Sequence, residues 1–208
     1  TPNGLLLGAL QPAFLAAGAR IQAEPDRLKK AYLSVISVIW IIVTPLFVTL
    51  ALLGPDIVRV LYGSAWESSG TVLTILAFAM PAYITWGMST PILWNTGKKQ
   101  LESLLQLPIL ALGGLALYYF VDQGIVASTI VVACVLLGRA LAIAPVACRQ
   151  LKISFKELLP SAARGSVMAF LAASGTLIGI QLGWLTSHTH FGSLVGGALI
   201  SASFLLIA

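Results

Sequence analysis

The sequence predicts an all-α fold: a polytopic transmembrane helical bundle of about seven spans, forming one domain over residues 1–208. Two observations carry this. Hydrophobic residues make up 58% of the chain and charged residues only 9%, with mean hydropathy +0.96. Soluble domains hold about 25% charged residues, so this chain has too few to coat a water-facing surface. Its charges are also unevenly placed, leaving residues 31–55, 68–97, 103–121 and 165–208 without any. A helix crosses the hydrocarbon core in roughly 20 apolar residues, and each of these stretches supplies one. The polar/apolar alternation of a membrane β-barrel is absent from the pattern.

The elements follow in order. Gly4 to Ala19 reads as part of a first span, interrupted by Gln11-Pro12. A net-basic island, Arg20 to Lys30, holds six of the nineteen charges, and Glu24-Pro25-Asp26 within it is a helix-start signal. The second span is expected over Tyr32–Leu53, ended by Gly54-Pro55-Asp56 and followed by an amphipathic connection with Tyr62 and Trp66 at the interface. Gly70–Asn95 forms the third, and Gly97-Lys98-Lys99-Gln100 a tight basic turn. Ser103–Phe120 forms the fourth, Ile125–Ala147 the fifth and Gly165–Trp184 the sixth, with a basic loop at 149–164 before it. A polar turn, Thr186 to His190, leads to a seventh span at the C-terminal end. Small-residue runs, Ala111 to Gly114 and Gly192 to Ala198, favour close helix approach in lipid.

Lysine and arginine counts orient these spans. The loops at 20–30, 98–99 and 149–164 carry four, two and four, whereas those at 54–69, 121–124 and 185–190 carry one, none and none. Strict alternation places the first set on the cytoplasmic side. The net charge of +5 is thereby explained by membrane orientation, with no nucleic-acid partner required. The first residue is not Met and the last eighteen are apolar, so the chain reads as part of a longer protein.

Few residues suggest chemistry. Cys134 and Cys148 share one helix and lie about 21 Å apart along it, beyond disulfide reach. His188 and His190, two apart, do not share a helical face. Glu67 and Glu102 flank spans, and no carboxylate falls in mid-span. No catalytic constellation, metal cluster or phosphate loop is seen, so neither an enzyme nor a cofactor is expected.

Arg139 stands apart as the one charge deep within a span. A central membrane arginine costs about 2.5–3.5 kcal/mol on insertion scales, which marks it as a candidate for holding an anion such as a phosphate. The plainer reading is that it snorkels or pairs with a carbonyl freed near Pro145. Ser128, eleven residues earlier, falls near the same helical face. Asn95, beside Trp94, is placed to line a cavity mouth; Lys98, Lys99 and Arg164 are basic residues able to attract an anionic substrate.

Several runs together resemble a known family. Pro12-Ala13-Phe14, Arg20-Ile21-Gln22, Pro25 to Leu28 and Ala31-Tyr32-Leu33 are similar to the central loop of bacterial oligosaccharide flippases, the polysaccharide-transport branch of the multidrug/oligosaccharidyl-lipid/polysaccharide exporter superfamily. Val60 to Gly63 with Trp66, Leu73 to Ala77, Asn95 to Lys98, and Gln150 to Ser154 with Glu157 to Leu159 resemble later signatures. The resemblance implies the C-terminal lobe of a fourteen-helix transporter. It would move polyprenyl-diphosphate-linked oligosaccharide across the bacterial inner membrane by alternating access, with a missing N-terminal lobe and membrane lipid as partners. It transfers no site residue. Alternatives are a multidrug or peptidoglycan-precursor exporter of the same superfamily, or a polytopic enzyme of glycan assembly.

Overall fold

The computed structural model describes residues 2–181 of the chain. Among these residues every regular element is helical: α1 (Pro2–Arg20), α2 (Pro25–Val38), α3 (Thr44–Tyr62), α4 (Glu67–Asn95), α5 (Lys99–Phe120), α6 (Ile125–Gln150) and α7 (Phe155–Gln181). Among the described residues, five helical stretches are long and apolar enough to cross a membrane: Pro25–Tyr62, Ser64–Asn95, Lys99–Gln123, Ile125–Gln150 and Lys156–Ile178. The first expected span is a helix but is not among the five. Gln11 and Pro12 in its nineteen residues dilute its apolar character. The seventh expected span and the Thr186–His190 turn lie outside the described residues.

The second span differs most from its sequence pattern. α2 opens at Pro25, as Glu24-Pro25-Asp26 suggests, and Arg27 pairs with Glu24 at 3.0 Å. Instead of stopping at Gly54, the helix continues to Tyr62. Proline removes a backbone donor, so Pro55 leaves the Ala51 carbonyl unpaired. The Thr74 hydroxyl of α4 donates to that carbonyl at 2.8 Å, which lets the helix run on. Gly54 and Gly70 make room for the approach. A Cβ on Gly70 would meet Pro55 Cα at 2.7 Å, and one on Gly54 the Thr74 hydroxyl at 2.9 Å.

Pro45 is accommodated differently. Residues Ile39–Val43 form a π turn, in which the Thr44 N–H reaches back to the Ile39 carbonyl. The wider turn immediately precedes Pro45 and eases the clash its ring would make with the preceding turn. α7 crosses here, and Gly165 lies so close that a Cβ would sit 2.6 Å from the Trp40 carbonyl oxygen.

The basic loop expected over 149–164 is mostly helix. α6 extends to Gln150, and α7 already begins at Phe155. One closing motif ends both α4 and α6. Lys98 N–H bonds to the Leu93 carbonyl at 2.7 Å behind Gly97 (φ 72°), and Ile153 N–H to the Cys148 carbonyl at 2.8 Å behind Lys152 (φ 52°). A left-handed residue after the last turn satisfies the orphan carbonyls.

The core sits between α2, α3, α4 and α6, where Tyr32, Ile36, Ile84, Met88, Ile92, Leu93, Ile143 and Ala147 are buried. α5 packs on the far side of α6, with Gly113 against Val135 and Gly138 against Ile109. The basic segments gather at one end. Lys29 pairs with Glu157 at 2.7 Å and reaches the Lys152 carbonyl at 3.4 Å. Asn95 donates to the Leu15 carbonyl at 3.4 Å.

Candidate functional site

Arg139 sits on α6 fourteen residues from Ile125 and eleven from Gln150, about 21 and 16 Å from the two ends. Its guanidinium does not reach toward Pro145. One NH₂ group donates to the Gln106 side-chain carbonyl on α5, and the guanidinium carbon lies 3.7 Å from the centroid of the Trp86 ring on α4. A cation over an indole face is the strongest cation–π geometry. Both partners are neutral, so the positive charge is solvated without being paired. Among the described residues, the buried Nε of Arg139 and the indole N–H of Trp86 have no hydrogen-bond partner.

Gln106 links this arginine to a second polar group. Its amide NH₂ donates to Glu102 at 2.7 Å, one helical turn toward the basic end. Glu102 also accepts the Trp94 indole N–H at 2.5 Å, and the Thr90 hydroxyl is 3.3 Å away, sharing its proton with the Trp86 carbonyl. Glu102 lies in the first turn of α5, where unpaired N–H groups favour a negative charge. The result is a polar chain, Trp94–Glu102–Gln106–Arg139–Trp86, across three helices.

The chain's donors and acceptors can be arranged in only one way. A carboxylate accepts only and a guanidinium donates only. Gln106 must therefore turn its NH₂ toward Glu102 and its carbonyl toward Arg139.

The other expected residues are placed elsewhere. Ser128 donates to the Gly124 carbonyl at 3.2 Å, about 16 Å along α6 from Arg139, so the two are not brought together. Asn95 is spent on α1: besides its bond to Leu15, its amide fills the space above Gly18. Lys98, Lys99 and Arg164 are exposed. Lys99 lines a surface hollow with Trp94, Gln100, Glu102 and Ser103.

Reading charges alone missed Gln106 and Trp86 and took Glu102 only as a span-flanking acid and Trp94 only as a neighbour of Asn95, yet a periodic signal was present. Trp86, Thr90 and Trp94 recur every four residues on α4, and Glu102 and Gln106 are four apart on α5. That spacing puts each set on one helical face.

Long apolar helices with a polar chain inside define a polytopic helical membrane protein. More particularly, residues 1–71 match the profile of a family described as "Polysaccharide biosynthesis protein". No curated protein and no solved structure matches the chain.

Proposed function

We propose that this chain is one lobe of a transporter that flips polyprenyl-diphosphate-linked oligosaccharide across the bacterial inner membrane. It acts as a carrier, not an enzyme, and works by alternating access with an N-terminal lobe, without a cofactor. About seven spans belong to this lobe. Arg139 carries the reading: it is a cation within an apolar bundle, held by the neutral Gln106 amide and the Trp86 ring. With no carboxylate directly upon it, its charge is available to a diphosphate. The polysaccharide-biosynthesis match over residues 1–71 supports the substrate class, and the exposed Lys98, Lys99 and Arg164 supply basic charge for drawing an anionic head group toward the lobe.

The test is glycan export in a strain lacking its own flippase, complemented by the intact protein. Arg139→Ala is expected to lower export roughly 10- to 100-fold, the loss of one interaction with a charged partner, at unchanged membrane abundance. Unchanged export would overturn the role of Arg139. Failure of the unsubstituted protein to complement with any lipid-linked glycan would overturn the transporter reading itself.

A further inference from the structure

Two hollows meet along one face of α5. The larger, about 420 Å³, is lined by Glu102, Ser103, Gln106, Leu107 and Leu110. The smaller, about 240 Å³, is lined by Trp94, Lys99, Gln100, Glu102 and Ser103. Glu102 and Ser103 belong to both, so the two form one groove along the helix. The rise of about 1.5 Å per residue sets the order and spacing of its groups. Lys99 lies at the basic end, Glu102 and Ser103 follow about 5 Å further in, and Leu107 and Leu110 lie about 12–17 Å further in.

Each step along the groove offers a different interaction. Among the described residues, Lys99 and Glu102 enter no ion pair. The Lys99 side chain is exposed, and its ammonium group brings three donors. On Glu102, Oε1 accepts from both Gln106 and Thr90, whereas Oε2 accepts only from the Trp94 indole. A carboxylate oxygen has two lone-pair sites, so Oε2 can take one more donor, and the Trp94 bond at 2.5 Å holds it in place. Leu107 and Leu110 are 64% and 45% exposed and form an apolar strip beside the hollow. The order is therefore cation, hydroxyl acceptor, apolar strip. A matching ligand carries an anion at its outer end, a hydroxyl a few bonds inward, and an apolar chain beyond that.

We propose that this groove binds a monoacyl glycerophosphate, a single-chain phospholipid of the leaflet at the basic end. Its phosphate meets Lys99, its free glycerol hydroxyl donates to Glu102 Oε2, and its one acyl chain lies along Leu107 and Leu110. Phosphate, hydroxyl and chain follow one another in that covalent order. Head group and chain also point as they do in the leaflet, so the lipid enters sideways without turning over. A diacyl lipid has that hydroxyl esterified and gives Glu102 no donor. Repulsion between Glu102 and the phosphate is offset, because Lys99 on one side and Arg139, behind Gln106, on the other outnumber the one carboxylate. The inference does not depend on what the lobe transports.

The test measures equilibrium binding to the intact protein in phosphatidylcholine nanodiscs, with empty nanodiscs subtracting simple partition. Three probes are compared: monooleoyl glycerophosphate, the oleoyl propanediol phosphate that lacks only the free hydroxyl, and dioleoyl phosphatidate. The first is expected to bind about tenfold tighter than either of the others, the worth of one hydrogen bond to a charged acceptor. Lys99→Gln weakens the two single-chain probes alike, about fivefold, and keeps the preference for the hydroxyl. Glu102→Gln removes that preference; should this variant fail to fold, the probe comparison and Lys99→Gln still decide. Equal binding of the three probes, no binding of the first, or affinities untouched by Lys99→Gln would each overturn the proposal.

Discussion

Gln106→Glu is the sharpest perturbation of the polar chain, because it changes charge with almost no change of shape. The Gln106 carbonyl already accepts from Arg139, so a carboxylate oxygen at that position forms a direct ion pair. Two unit charges 4 Å apart at an effective dielectric of 20 attract by about 4 kcal/mol, a factor of roughly 10³ in the availability of Arg139 to any other anion. On its other side the new carboxylate replaces an amide that donated to Glu102 at 2.7 Å. Two carboxylates at that separation share a proton, so the pair keeps its hydrogen bond within α5, while the contact to Arg139 keeps α5 joined to α6. Gln106→Leu does the opposite. It leaves the Arg139 NH₂ group without its acceptor, at roughly 1–3 kcal/mol, and one Glu102 oxygen with only the Thr90 hydroxyl at 3.3 Å. The paired expectation is therefore that Gln106→Glu folds with near-normal thermal stability but exports almost no glycan, whereas Gln106→Leu is destabilised. Thermal unfolding of the detergent-purified protein and glycan export in cells read the two effects separately. Full export by Gln106→Glu would refute the argument that a charge held by neutral partners is what Arg139 contributes.

Two further predictions concern packing. Gly165→Ala places a Cβ 2.6 Å from the Trp40 carbonyl oxygen, a backbone atom that cannot swing aside, so the substitution should destabilise by about 1–3 kcal/mol, seen as a lower unfolding midpoint. In the buried Tyr32–Ser89 pair, 2.9 Å apart, the single Ser89 proton goes to the Thr85 carbonyl at 2.7 Å, which makes Tyr32 the donor. Ser89→Ala then leaves the tyrosine hydroxyl only the weakly accepting Cys148 thiol, whereas Tyr32→Phe strands nothing. Ser89→Ala should cost more, about 1–3 kcal/mol, and equal losses in chemical unfolding would contradict the assigned direction.

Apolar length and charge position made most of the helices legible. Gly70–Asn95 and Ile125–Ala147 differ from α4 and α6 only by a turn or less at the ends. The misjudged boundaries have a common cause. Gly54-Pro55 reads as a stop because proline removes a bond, but the replacement donor, Thr74, lies nineteen residues further on in the next helix. Local pattern cannot see a tertiary donor. Residues 155–164 read as a loop because they are charged, whereas Lys156, Glu157 and Arg164 continue the helix at its exposed, basic end.

The site shows the same asymmetry. Arg139 is conspicuous because a charge inside an apolar run is expensive, and expense is what a sequence scan detects. Its partners are Gln106 and Trp86, which cost little to bury and therefore draw no notice. Glu102 was read as a span-flanking acid, and by position it is one, only three residues into α5. Its significance comes from the turn that follows: with Gln106 one turn deeper, a carboxylate near the helix end is connected to an arginine near the middle of another helix. A direct Glu–Arg pair would satisfy both charges and leave nothing for a ligand. The intervening amide passes on orientation without neutralising charge. That distinction separates a bond that merely holds helices together from one that also keeps a cation available.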